Sequence, residues 1–168
     1  MPSRGIFIGL GANVPSPAGS PAETIRAALR ELDAEEVRLE AVSRLYRNPA
    51  WPNPHDPPFV NAVARIQTTR SPVALMQLLH ALETRFARTR SDRNGPRSLD
   101  LDLLDYGGRV EEGPPHLPHP RMSGRAFVLV PLVEIEPDWT HPDSGRPIAE
   151  LLATLPQSDR DSVVAMER

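Results

Sequence analysis

Arg97-Ser98-Leu99-Asp100-Leu101-Asp102-Leu103-Leu104 is the stretch on which the fold turns. Apolar and acidic residues alternate with period two, the signature of a strand with one buried face. Leu99, Leu101 and Leu103 are expected on that face, with Asp100 and Asp102 together on the other. At a rise of about 3.3 Å per residue, the two aspartates stand roughly 6–7 Å apart at Cα. Carboxylates that close repel each other unless a cation sits between them. Magnesium suits such a gap, because it completes its shell with phosphate oxygens and water. A lone D-x-D is equally the solvated face of a polar strand, so its neighbours decide.

Those neighbours are arginines. Arg88, Arg90, Arg93 and Arg97 precede the strand, and His119, Arg121 and Arg125 follow it. Guanidinium forks match phosphate oxygens in pairs, so arginines on both sides of an aspartate pair describe a metal–phosphate site. Some of them, Arg93 for one, read as ordinary surface charge. His119, held between Pro118 and Pro120, has a stiff backbone and by itself suggests a structural role. The scarce aromatics add a second theme. Phe59 and Asn61, two apart, share a strand face; Phe127 follows the late arginines and Trp51 lies in a Pro-rich loop. A planar heterocycle is bound by stacking on such rings with an amide at its edge, although ordinary core packing is the commoner fate of phenylalanine.

Outward from these positions the chain alternates strands and helices. Residues 5–10 read as a buried strand leading into a turn at Gly11-Ala12-Asn13. Ser20-Pro21-Ala22-Glu23 is a capping box that opens a helix over about 21–33. Residues 37–47 alternate as a strand, and 59–66 form the next one. Ser71-Pro72 starts a second helix whose apolar stripe is expected to be Val73, Met76, Leu79, Leu82 and Phe86. Residues 98–104 close the pattern. Strand, helix, strand, strand, helix, strand is the ferredoxin-like βαββαβ order: an α+β fold, an antiparallel sheet with helices on one face. Short helices are expected near 125–134 and 147–155, with a polar, loose tail from about 156.

Bulk properties narrow the function. With 168 residues, 24% charged and 39% hydrophobic, the chain reads as a single globular domain over 1–168. It has no cysteine, which excludes disulfides, thiolate metal sites and cysteine nucleophiles. All 19 basic residues are arginine, so neither a Schiff-base lysine nor a P-loop lysine exists. A net charge of −3 argues against nucleic acid as a partner. No apolar run approaches bilayer length, so a cytoplasmic protein with no membrane partner is expected.

Arg93-Asn94-Gly95-Pro96-Arg97-Ser98-Leu99-Asp100-Leu101-Asp102 resembles the signature of the 6-hydroxymethyl-7,8-dihydropterin pyrophosphokinases. Gly9-Leu10-Gly11-Ala12-Asn13, Tyr46-Arg47-Asn48-Pro49, Phe59-Val60-Asn61-Ala62, Pro118-His119-Pro120-Arg121-Met122 and Arg125-Ala126-Phe127 follow the family's order, so the likeness runs to about residue 145. The resemblance implies a ferredoxin-like fold and attack by the hydroxymethyl oxygen of a dihydropterin on the β-phosphorus of ATP, releasing AMP. Asp100 and Asp102 would bind two magnesium ions. Arg88, Arg90, Arg97, His119 and Arg125 would contact the triphosphate, Arg88 and Arg97 stabilising charge during transfer. Met76, His80, Glu83 and Leu103 fall where the family lines its nucleotide pocket. Phe59 and Phe127 would sandwich the pterin, Asn61 would bond its edge, and Asn48, Pro49 and Trp51 would supply loop contacts. ATP and a dihydropterin are then the partners of an expected monomer.

Four positions depart from the family's usual residues. Asn94 stands where many members carry a tryptophan, His80 where glutamine is frequent, and Asn48 and Phe59 where threonine and tyrosine are common. A metal-dependent nucleotidyltransferase, which would release pyrophosphate, is the rival enzyme. A non-enzymatic ferredoxin-like binding module is the rival from another class; it calls for exposed aromatics on central strands or a basic face.

Overall fold

Ile6–Ala12 (β1) runs through the sheet between Phe59–Thr68 (β4) and Asp100–Tyr106 (β5), antiparallel to both. The computed structural model describes residues 5–34, 36–50, 53–86 and 98–166. Beyond β4 the sheet continues through Tyr46–Asn48 (β3) to Val164–Ala165 (β6), while Val37–Val42 (β2) pairs with the other end of β4. Pro21–Leu32 (α1) and Pro72–Phe86 (α2) complete the ferredoxin-like order. Among the described residues β5 has no neighbour on its outer edge.

Two expectations need correction here. The alternating stretch 37–47 is not one strand: it divides around Ser43 into β2 and β3. Ser43 ends the first piece with its own side chain, whose Oγ accepts from the Val63 N–H at 3.0 Å, while its N–H donates to the Val63 carbonyl at 2.9 Å. The buried face of α2 is also rotated from the expected stripe. Leu75, Leu78, Leu79, Leu82 and Phe86 are buried, while Val73 is exposed and Met76 half-buried. Steps of three residues advance only 300°, so Val73, Met76 and Leu79 drift around the helix; the steps of four and three from Leu75 do not.

α1 and α2 pack on one face of the sheet, against Ile8, Leu10, Ala64, Ile66, Leu101 and Leu103. The opposite face is covered as well. Ala126–Ile135 (α3) and Ile148–Thr154 (α4), with Trp139, pack on Phe7, Val63 and Leu104 in a second core. The two helices of the ferredoxin-like core thus share one face, as expected, and the C-terminal helices cover the other. Where polar composition suggests a loose tail, Gln157–Asp161 (α5) forms a short helix and β6 pairs with β3, Tyr46 opposite Ala165. No helix among the described residues is long and apolar enough to cross a membrane.

Candidate active site

The face of β5 that points away from α2 carries Asp100 and Asp102, while Leu101 and Leu103 are buried in the main core on the other side. Both acids line a cavity of about 820 Å3. Across the ladder in β1, Gly11 stands opposite Asp100 and Gly9 opposite Asp102. Two glycines on one strand face leave an open floor beside the two carboxylates, where any side chain would intrude. Gly11 is also opposite Asn61 of β4, and a Cβ on it would lie 2.7 Å from the Asn61 Oδ1. Sequence reasoning missed this floor. Its signal was the spacing of Gly9 and Gly11 by two within a strand.

His119 and Arg125 both present nitrogen donors to Asp102. His119 Nε2 is 3.9 Å from its Oδ1 and Arg125 Nη1 is 3.9 Å from its Oδ2. His119 is fixed at both ends: its backbone N–H donates to the Leu104 carbonyl at 2.8 Å, and its Nδ1 accepts from the Arg121 N–H at 3.2 Å. The ring proton therefore sits on Nε2, toward Asp102. Burial, helped by the guanidinium groups of Arg125 and Arg121, pushes the His119 pKa down to about 4. At neutral pH it is an uncharged donor. Arg125 is the N-cap residue just before α3, and its guanidinium lies 5.4 Å from the centre of the Phe127 ring. It thus connects the acidic end of the cavity to the aromatic one.

Glu83 reaches β5 from α2. Its Oε2 accepts from the Leu101 N–H at 2.9 Å, on the strand's free edge. Burial pushes its pKa up to about 8, and the nearby Asp100 and Asp102 add to that rise against the lowering effect of the Leu101 N–H. Met76 and His80 lie on the same side of α2, at spacings of four and three residues leading to Glu83. Neither belongs to the cavity wall among the described residues. The Leu103 side chain is buried in the main core, so it cannot line a nucleotide pocket as a side chain. Its backbone can, because strand periodicity puts the Leu103 N–H on the same free edge as that of Leu101.

Asn48, Pro49, Phe59, Asn61 and Phe127 line the aromatic end of the same cavity. Asn61 is buried, and its Nδ2 donates to the Asn48 Oδ1, which leaves the Asn61 Oδ1 above Gly11. Phe59 opens β4 directly opposite Asn48. Arg121, one of the arginines flanking the aspartate pair, also contributes to the wall, as do the tail residues Ser158, Asp159 and Ser162, none of which was singled out from the sequence. Trp51, Arg88, Arg90, Arg93, Asn94 and Arg97 lie outside the described residues.

Asp100 and Asp102 offer hard oxygen donors on one face, the chemistry a divalent ion such as magnesium accepts. Among the described residues no group of three or more histidine, cysteine, aspartate or glutamate side chains is placed to hold a metal ion. An ion held by these two carboxylates would need the rest of its shell from water and a ligand.

Fold and cavity together define a ferredoxin-like α+β protein with an acid-and-arginine cleft running into an aromatic pocket. The chain belongs to the 7,8-dihydro-6-hydroxymethylpterin-pyrophosphokinase (HPPK) family, whose pattern it matches over residues 7–137. It is 41% identical over 153 residues to a 2-amino-4-hydroxy-6-hydroxymethyldihydropteridine pyrophosphokinase of Pseudomonas aeruginosa, covering 90% of this chain and 91% of that protein. The Synechocystis protein of the same name is 40% identical over 151 residues, covering 89% of this chain and 75% of that one. In three dimensions the chain is similar to a crystal structure of an HPPK-DHPS in complex with substrates, with a TM-score of 0.66. That similarity covers 90% of this chain and 43% of the other; at 11% identity it speaks for the fold alone.

Proposed function

We propose that this protein transfers the pyrophosphoryl group of ATP to the hydroxymethyl oxygen of 6-hydroxymethyl-7,8-dihydropterin, a step of folate synthesis. The new bond joins that oxygen to the β-phosphorus; the bond between the β-phosphorus and the α-bridging oxygen breaks; AMP leaves and the hydroxyl proton is released. One observation carries this assignment: a single cavity has two carboxylates over a glycine floor at one end and Phe59, Asn61 and Phe127 at the other. A triphosphate and a flat heterocycle would meet where the two ends join.

Magnesium, held by Asp100 and Asp102, would neutralise phosphate charge. Arg125 and the neutral His119 would donate to phosphate oxygens, joined by Arg88, Arg90 and Arg97. The base would lie along the free edge of β5, where the Leu103 backbone offers hydrogen bonds and Glu83, Met76 and His80 flank it. Phe59 and Phe127 would stack on the pterin and the Asn61 Oδ1 would accept from its N–H edge, with Asn48, Pro49 and Trp51 around it. Such transfer needs positioning and charge neutralisation rather than a covalent nucleophile, so no residue has to act as a strong base. All the residues named come from one chain, consistent with a monomer.

The deciding experiment mixes protein, magnesium, ATP and 6-hydroxymethyl-7,8-dihydropterin and separates the products. AMP and the pterin diphosphate in equal amounts are expected. Release of pyrophosphate instead would make the protein a nucleotidyltransferase and overturn the assignment.

A further inference from the structure

The wall of the cavity continues beyond the stretch that the family pattern matches. That pattern stops at residue 137, and Ser158, Asp159, Ser162 and Val163, past its end, line the same cavity as Phe59, Asn61 and Phe127. The tail is anchored to hold them there. Val163 is buried with Tyr46 and Ala126, and Phe127 packs on that small cluster. β6 pairs with β3, and the Met166 N–H donates to the Leu45 carbonyl at 2.8 Å. The tail is thus bound to β3, whose last residue, Asn48, is the partner of Asn61.

Within α5 the acidic residues differ. The Asp161 Oδ1 accepts from the Gln157 Nε2 at 2.8 Å, whereas the Asp159 carboxylate has no hydrogen-bond or ion-pair partner among the described residues. Asp159 lines the cavity and Asp161 does not. Ser162, which also lines the cavity, donates from its Oγ to the Asp159 backbone carbonyl at 2.7 Å. A carboxylate at the rim of an aromatic-lined pocket is an acceptor in search of N–H donors, and the pyrimidine ring of a pterin carries such donors at its amino group and ring nitrogens.

We infer that Asp159 is a specificity-determining residue, accepting a hydrogen bond from an N–H of the heterocycle, and that the C-terminal segment is the outer wall of the pterin site. This rests on the function proposed above. The tail's buried anchor, Val163, sits in the cluster that Phe127 packs on, so its contribution falls on pterin recognition and not on the nucleotide.

The test measures binding of 6-hydroxymethyl-7,8-dihydropterin by titration calorimetry, with magnesium and a non-hydrolysable ATP analogue present, for the full chain and for Asp159→Ala and Asp159→Asn. Asp159 is an exposed residue of a short helix, so neither change should disturb folding. The alanine variant should bind the pterin about tenfold more weakly, as for a lost hydrogen bond to a charged group, with asparagine restoring part of the loss. Affinity for the ATP analogue should not change. If the parent protein binds no pterin, the proposed function itself fails. If it binds and Asp159→Ala binds equally well, or loses pterin and nucleotide affinity alike, the role given to Asp159 is wrong.

Discussion

A methyl group on Gly11 would meet the Asn61 Oδ1 at 2.7 Å, and Asn61 cannot swing aside, being buried and tied to Asn48. Gly11→Ala should therefore leave a folded protein, at a cost of about 1–3 kcal/mol for overpacking, but misplace the amide assigned to the pterin edge. The expected result in steady-state kinetics is a pterin KM raised more than the ATP KM; equal changes would mean a general distortion. Glu83 makes a different prediction. Its folded pKa of about 8 lies above the ordinary 4.5, so the folded state holds this proton more tightly than the unfolded chain. That contribution to stability is complete below about pH 4.5 and is lost as pH rises through 8. The unfolding free energy from urea titrations in EDTA should fall over that window, by about 2 kcal/mol once solvent screening is allowed for. In Glu83→Gln the fall should be largely absent, and an undiminished slope would assign it to other groups.

Among the elements, α1 was legible to its first residue, because its start is written in local chemistry. Ser20 accepts from the Glu23 N–H at 3.3 Å and the Glu23 carboxylate accepts from the Ser20 N–H at 3.2 Å, the reciprocal pair a capping box requires. The split of 37–47 was not legible, since it depends on Val63, a residue far along the chain. Ser43→Ala tests this directly. It removes the acceptor of the Val63 N–H and should cost about 1–3 kcal/mol, the penalty for an unsatisfied buried donor. Ser43 lies outside the cavity wall, so turnover below the melting temperature should be unchanged. The site shows the same division between local and distant information. Alternation along one strand was enough to put Asp100 and Asp102 on a common face, but the glycines opposite them depend on strand pairing. Rotation of α2 was hidden because its sequence is apolar on several sides and only packing selects the buried one.

At the scale of the whole molecule, the covered second face was the least legible feature. Phe7, Val63 and Leu104 sit in runs of apolar residues that do not reveal which neighbour faces which helix, and α3 is apolar nearly all round, so it shows no stripe. Yet this layer sets the site, because α3 carries Arg125 and Phe127 at its start and packs on β4 through Val63. One buried polar contact ties the layer to the sheet: the Trp139 Nε1–H donates to the Asp105 Oδ2 at 2.9 Å, while the Gly108 N–H donates to the Oδ1 at 2.9 Å. Asp105 lies next to the β5 irregularity, where pairing with β1 shifts register between Phe7 and Ile8. Trp139→Phe keeps most of the ring in the second core and deletes the donor. The Asp105 carboxylate then loses one of its partners inside the protein, which should lower stability by about 1–3 kcal/mol. If the contact only staples the layers, unfolding by urea should come earlier while kcat and both KM values stay as they were. If it also holds the register of β5, kcat should fall at temperatures where the variant is fully folded, because Asp100 and Asp102 are carried by that strand. The first outcome is expected, since the ladder from Ile8 to Gly11 runs unbroken beside both acids and holds them without help from Asp105.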